Sequence, residues 1–169
     1  EKVRSQRNQG RRARRRAEIA SVSLVGYTNA GKSTLFNALT GASVYSADQL
    51  FATLDPTLRR LEIDGFGSLI LADTVGFIRH LPHKLVEAFR ATLEEASSSD
   101  LLLHVVDAAD ENRQENAEQV EAVLEEIGAG ATPRLEIYNK IDRLAHSTPR
   151  IDRDETGKPQ RVWVSARSE

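Results

Sequence analysis

The chain has 169 residues, with 23 Lys and Arg against 25 Asp and Glu and a formal charge of −2 at pH 7. A domain of this size buries about two-thirds of its unfolded surface and needs no crosslink to hold a core; with no Cys in the chain, disulfide, thiolate-zinc and cysteine-nucleophile chemistry are excluded. No apolar stretch approaches the roughly 18 residues of a membrane-spanning helix, so the expectation is a cytoplasmic globular protein, and the absence of any Met, initiator included, suggests a fragment.

Residues 1–16 carry eight basic side chains (Lys2, Arg4, Arg7, Arg11, Arg12, Arg14, Arg15, Arg16) against Glu1, a charge of +7 that leaves −9 on the remainder. Such an arm is either a solvated helix or linker, or a phosphate-backbone contact that releases counterions from nucleic acid. The expected division is an arm at 1–18 and a folded body at 19–169. In the body, Ile19 to Val25 alternates apolar with small residues and runs into Gly26, a strand ending in a tight loop. A helix is expected from Lys32 to about Leu39, closed by Gly41. Leu58 to Ile63 and Ser68 to Ala72 flank Asp64-Gly65-Phe66-Gly67 and read as an antiparallel hairpin. From Lys84 to Ala96, apolar residues recur at spacings of three and four, predicting a helix with one buried face. Leu101 to Val106 is continuously apolar, as in a central strand covered on both sides. Glu111 to Ile127 predicts a second such helix, and Leu135 to Tyr138 and Val162 to Val164 complete a strand–helix alternation. The pattern implies an α/β fold: a mainly parallel six-stranded sheet with one antiparallel edge strand and helices on both faces.

Ligands of such sheets bind at the carboxyl ends of the strands, where the chemistry-bearing residues fall. Gly26-Tyr27-Thr28-Asn29-Ala30-Gly31-Lys32-Ser33 matches G-x-x-x-x-G-K-[ST] between a predicted strand and a predicted helix. Backbone N–H groups and the helix amino terminus would cradle phosphates, Lys32 would reach the β- and γ-phosphates, and Ser33 would bind Mg²⁺. Asp73-Thr74-Val75-Gly76 follows a strand, so Asp73 can hold Mg²⁺ through water and Gly76 can offer its N–H to a γ-phosphate. Asn139-Lys140-Ile141-Asp142 follows another; a carboxylate there accepts from guanine N1–H and the 2-amino group, a donor pair that adenine lacks. Asn139 would contact the other base edge and tie loops together, and the Lys140 stem could cover the ring. Ser165-Ala166 would supply a backbone N–H to guanine O6. The γ-phosphate sensor should lie in Phe51-Ala52-Thr53-Leu54-Asp55-Pro56-Thr57, with Thr53 chosen as the second hydroxyl on Mg²⁺ and Thr57 its rival.

These residues resemble the translation-factor class of GTPases and, more narrowly, the HflX family. The narrowing runs are Gly26 to Ser33, Leu50 to Thr57, Asp73-Thr74-Val75-Gly76-Phe77-Ile78-Arg79, Leu81-Pro82 and Leu85-Val86-Glu87-Ala88-Phe89. The resemblance implies a P-loop fold in which Gly26 to Thr34, Phe51 to Asp55, Asp73 to Gly76, Asn139 to Asp142 and Ser165-Ala166-Arg167 bind GTP or GDP. In it, Lys32, Thr53 and Gly76 serve hydrolysis, and Ser33, Thr53 and Asp73 hold Mg²⁺. It further implies a monomer that engages the rRNA and protein of the large ribosomal subunit and splits ribosomes. Two family parts, an N-terminal domain and a final helix after Arg167, would lie outside this chain. Phe77 stands where small signalling GTPases place a water-orienting glutamine. Arg79 is one candidate substitute, against its more ordinary place as a solvated residue. Asn29 stands where potassium-activated members of the class hold a monovalent cation, or it braces its own loop. His80, His83, His104 and His146 lack carboxylates at ligand spacing, so zinc is not expected. The competing readings are an RNA-binding module in which nucleotide only organises the domain, and an ATP-using enzyme, against which Asn139 to Asp142 argue.

Overall fold

The computed structural model describes residues 2–16, 19–41, 56–74, 76–77, 89 and 92–167. Five parallel strands form the centre of one sheet: β1 (Ala20–Gly26), β3 (Gly67–Asp73), β4 (Leu101–Asp107), β5 (Arg134–Asn139) and β7 (Pro159–Trp163). With β2 (Thr57–Ile63) and β6 (Arg150–Arg153) the order is β2-β3-β1-β4-β5-β7-β6, and each outermost strand runs antiparallel to its neighbour. The α/β class is therefore as expected, whereas the sheet has seven strands and two antiparallel edges rather than six and one. The additional strand escapes sequence reading because Arg150-Ile151-Asp152-Arg153 holds one apolar side chain, and that one is 51% exposed. It is held instead by pairing with β7 and by Asp154, whose Oδ1 accepts from Thr156 N at 2.9 Å and Lys158 N at 3.0 Å and so closes the intervening turn.

Alternation along the strands sends apolar side chains to both faces, as a sheet covered on two sides requires. On one face Val25 and Leu102 pack with Phe77, Phe89, Leu93 and Ala96 and with Val120 and Leu124 of helix α3 (Arg113–Glu126). On the other, Val22, Leu24, Leu71, Val105 and Ile137 pack with Leu35 and Phe36 of helix α2 (Lys32–Thr40), which Gly41 closes. Of the helix expected over 84–96, Phe89 and residues 92–97 are helical, and the remainder lies outside the described residues. His104 faces α3 almost fully buried, with Nδ1 3.7 Å from Glu121 Oε1, and burial lowers its pKa, which keeps the ring neutral near pH 7.

The arm is helical: α1 spans Lys2–Arg16. Arg11 turns inward, with Nη2 donating to Glu94 Oε2 at 2.8 Å and Nη1 to the Glu94 carbonyl at 3.2 Å, while Arg12 is exposed. A guanidinium there meets the negative dipole end of the segment over 92–97, joining Ser98 N and Ser98 Oγ on the Glu94 carbonyl. Among the described residues no helix is long and apolar enough to cross a membrane.

Candidate functional site

Two strand ends bring the phosphate-loop residues against the segment that follows Asp73. Thr28 N donates to the Phe77 carbonyl at 2.6 Å and Phe77 N to the Gly26 carbonyl at 2.9 Å, so the loop and the residues around Gly76 are laced together through backbone. The approach is tight: a Cβ on Gly76 would stand 2.7 Å from Thr28 Cα. Gly31 has φ 95°, which L side chains rarely adopt, and a Cβ there would run into the Asn139 amide. Both glycines are thus required by backbone geometry as well as by any phosphate.

Lys32 opens α2 and folds back over the loop. Its Nζ donates to the Tyr27 carbonyl at 3.2 Å and the Gly26 carbonyl at 3.4 Å, and the side chain is buried. Burial lowers its pKa to about 8, an effect opposed by Asp73 and increased by Lys140. Next in the same turn, Ser33 Oγ donates to Asp73 Oδ2 at 2.6 Å; Asp73 is fully buried at the end of β3. A hydroxyl and a carboxylate converging at a helix amino terminus form a hard, all-oxygen donor set, which suits Mg²⁺. Thr34 follows in the first turn of α2. Thr74 donates its hydroxyl to the Leu24 carbonyl at 2.5 Å, which fixes the turn after Asp73. Thr57 begins β2 directly opposite Asp73 in the ladder. Phe51, Ala52, Thr53, Leu54, Asp55, Val75, Arg79, His80 and His83 lie outside the described residues.

At the ends of β5 and β7 the second group assembles. Asn139 is 2% exposed; its Nδ2 donates to the Ala30 carbonyl at 3.2 Å and its Oδ1 accepts from Ala166 N at 3.0 Å. Both ends of the amide therefore join loops, the loop-tying role considered for it, and the second Nδ2 hydrogen is left for the other role, contact with a base edge. Lys140 sits at φ 65° and sends Nζ to the Asn29 carbonyl at 2.7 Å and to Asp107 Oδ2 at 2.8 Å. Asp142 projects outward from a 3₁₀ turn over Ile141–Arg143, whose Ile141 is buried as its anchor. Its Oδ1 accepts from Ser165 Oγ at 2.6 Å, and that bond holds the carboxylate below its usual pKa and ionised. Arg167 N reaches Ser165 Oγ at 3.4 Å, which places Ser165, Ala166 and Arg167 around the same carboxylate. Asp107 was absent from the residues singled out by sequence; its only signal there was a carboxylate at the carboxyl end of a central strand.

A protein-family profile described as "50S ribosome-binding GTPase" matches residues 21–140. The chain is 63% identical over 168 residues to "GTPase HflX" of Escherichia coli (strain K12), covering 99% of this chain and 39% of that protein. It is 50% identical to "GTPase HflX" of Caldanaerobacter subterraneus subsp. tengcongensis over 99% of its length and 38% of the relative's. Among solved structures, a GTP-binding protein from Sulfolobus solfataricus in complex with GDP matches with a TM-score of 0.61 at 35% identity, over 84% of this chain and 42% of the other. The chain thus spans well under half the length of these relatives.

Proposed function

Because this chain belongs to the HflX family of GTPases, we propose that its two strand-end groups form one guanine-nucleotide site and that the protein hydrolyses GTP with Mg²⁺, in association with the large ribosomal subunit. The observation that carries this is the Asn139 amide, which bonds Ala30 of the phosphate loop on one side and Ala166 on the other. It sets the anionic, outward Asp142 at a fixed place relative to Lys32 and Ser33. Lys32 balances phosphate charge, the loop amides hold the phosphates, and Asp142 accepts from the base. Ser33 and Asp73 would hold the metal, with Thr53 as the second hydroxyl; Mg²⁺ bound there would supply neutralisation of the phosphate charge.

Phe77 shapes the hydrolytic step. Its ring is 2% exposed in the core and its backbone is locked to the phosphate loop, so nothing at that position aims water. Charge stabilisation then comes from a monovalent cation at Asn29, from Arg79, or from a ribosomal group. Supporting the ribosomal assignment is the family description, and with it go ribosome splitting, a cytoplasmic location, and a division into an arm at 1–18 and a G domain at 19–169.

The direct test is Asp142→Asn. The amide replaces one acceptor by a donor, so GTP affinity should fall by about two orders of magnitude while XTP, which carries an acceptor at that edge, gains. Unchanged competition by GTP and XTP would overturn the guanine assignment, and GTP turnover unaffected by large subunits would overturn the ribosomal one.

A further inference from the structure

Lys140 is the residue of the base-recognition run whose conformation is least self-supporting. A non-glycine residue at φ 65° is strained and persists where its surroundings over-determine it. Besides the backbone bonds that Arg143 N makes to its carbonyl and Ile141 N to the Val164 carbonyl, what holds it is its own ammonium, pinned at 2.7 Å to the Asn29 carbonyl and at 2.8 Å to Asp107 Oδ2. Asp107 is in turn fixed: its Oδ1 accepts from Ala109 N at 3.0 Å, and Ala108 N donates to the Asn139 carbonyl at 2.9 Å. Its side chain is 18% exposed and that of Lys140 is 16% exposed. A charge-assisted bond this far removed from water holds its partner more firmly than an exposed one.

The carboxylate therefore does two things with its two oxygens. One freezes the turn that ends β4, and the other draws the Lys140 stem taut between the strand end and the phosphate loop. A lysine stem so held presents its methylenes as a flat apolar edge and keeps the turn carrying Asp142 in register with Asn29. We infer that Asp107 is a positioning residue for guanine nucleotides: through Lys140 it preorganises the face on which the base lies, and it acts on affinity without touching the ligand. This rests on the guanine-nucleotide reading above.

The test uses fluorescent GDP titration and steady-state GTP hydrolysis. Parent protein that binds GDP in preference to ADP upholds the underlying reading; without that preference the reading itself fails, whatever Asp107 does. Given it, Asp107→Ala should weaken GDP by about tenfold, the loss of one charge-assisted hydrogen bond. The loss should fall on KM rather than kcat, and GTP and ITP should weaken alike, because the 2-amino group answers to Asp142. Asp107→Asn, which keeps an acceptor without the charge and leaves the turn intact, should bind between Asp107→Ala and parent; it also serves where the alanine variant folds poorly. In a Lys140→Met background, Asp107→Ala should cost nothing further. Parent-like affinity in both Asp107 variants, an undiminished loss in the Lys140→Met background, or a changed GTP-to-ITP ratio would each overturn the assignment.

Discussion

Lys32 is a cation held where burial favours the neutral form. With its pKa lowered to about 8 from the ordinary 10.5, the folded, nucleotide-free protein releases this proton more readily than the unfolded chain does. Between those values the unfolded state binds more protons, so stability without nucleotide rises with pH across that window; below it, the buried charge costs about 3 kcal/mol. Phosphate oxygens reverse the balance by favouring the ammonium. Nucleotide binding should thus take up a proton just above pH 8, and affinity should fall by up to about tenfold per pH unit as pH rises through that value. Calorimetry of GDP binding in two buffers of different ionisation enthalpy measures the uptake; zero uptake would mean that Lys32 keeps its proton throughout. Without a lysine to titrate, Lys32→Ala should abolish the pH dependence along with most of the affinity.

Elements differ in how openly their sequences declare them. The central strands were legible because a parallel strand covered on two faces must be apolar throughout, as 101–106 is. The phosphate loop was legible because only glycine serves at 31, where φ is 95°. β6 was not, since an edge strand satisfies its backbone through one neighbour and needs little core. Asp107 was not, because a single carboxylate at a strand end looks the same whether it faces water or Lys140. Helix α1 was half legible. Its charge was evident, but which arginine faces inward depends on the position of Glu94, far along the chain. Arg11→Ala should remove the clamp, costing about 1–2 kcal/mol of docking, and should speed amide exchange in α1 while leaving β1 protected. Equal exchange in parent and variant would show that α1 is held by other contacts. Arg12, which points outward, is the better candidate for a salt-dependent RNA contact.

Across the whole molecule, the sheet order sets β1 between the two chemistries: β3 on one side delivers Asp73, and β4 and β5 on the other deliver Asp107 and Asn139. The gap left by Phe77 is then a property of the assembly. Since its ring is committed to the core, replacing it by glutamine would open a cavity before it aligned any water. On the proposed reading the exposed Asn29 would stand beside the phosphates, with its carbonyl already held by Lys140. Turnover should accordingly be severalfold faster in potassium than in sodium chloride at equal ionic strength, and Asn29→Ala should erase the difference; equal rates would leave Arg79 or the ribosome as the source. At the opposite end of the sheet, the single tryptophan adds an optical property. Trp163 is stacked on Tyr138 at 4.6 Å, capped by the Arg150 guanidinium at 4.0 Å, and bonded through Nε1 to Asp152 at 2.7 Å. Tyr138 immediately precedes Asn139, and Trp163 lies two residues before Ser165. All indole emission from this chain therefore originates beside the strand ends that carry Asn139 and Ser165, and on the proposed reading unlabelled protein would carry a fluorophore that reports on the base side of the site separately from the phosphate loop.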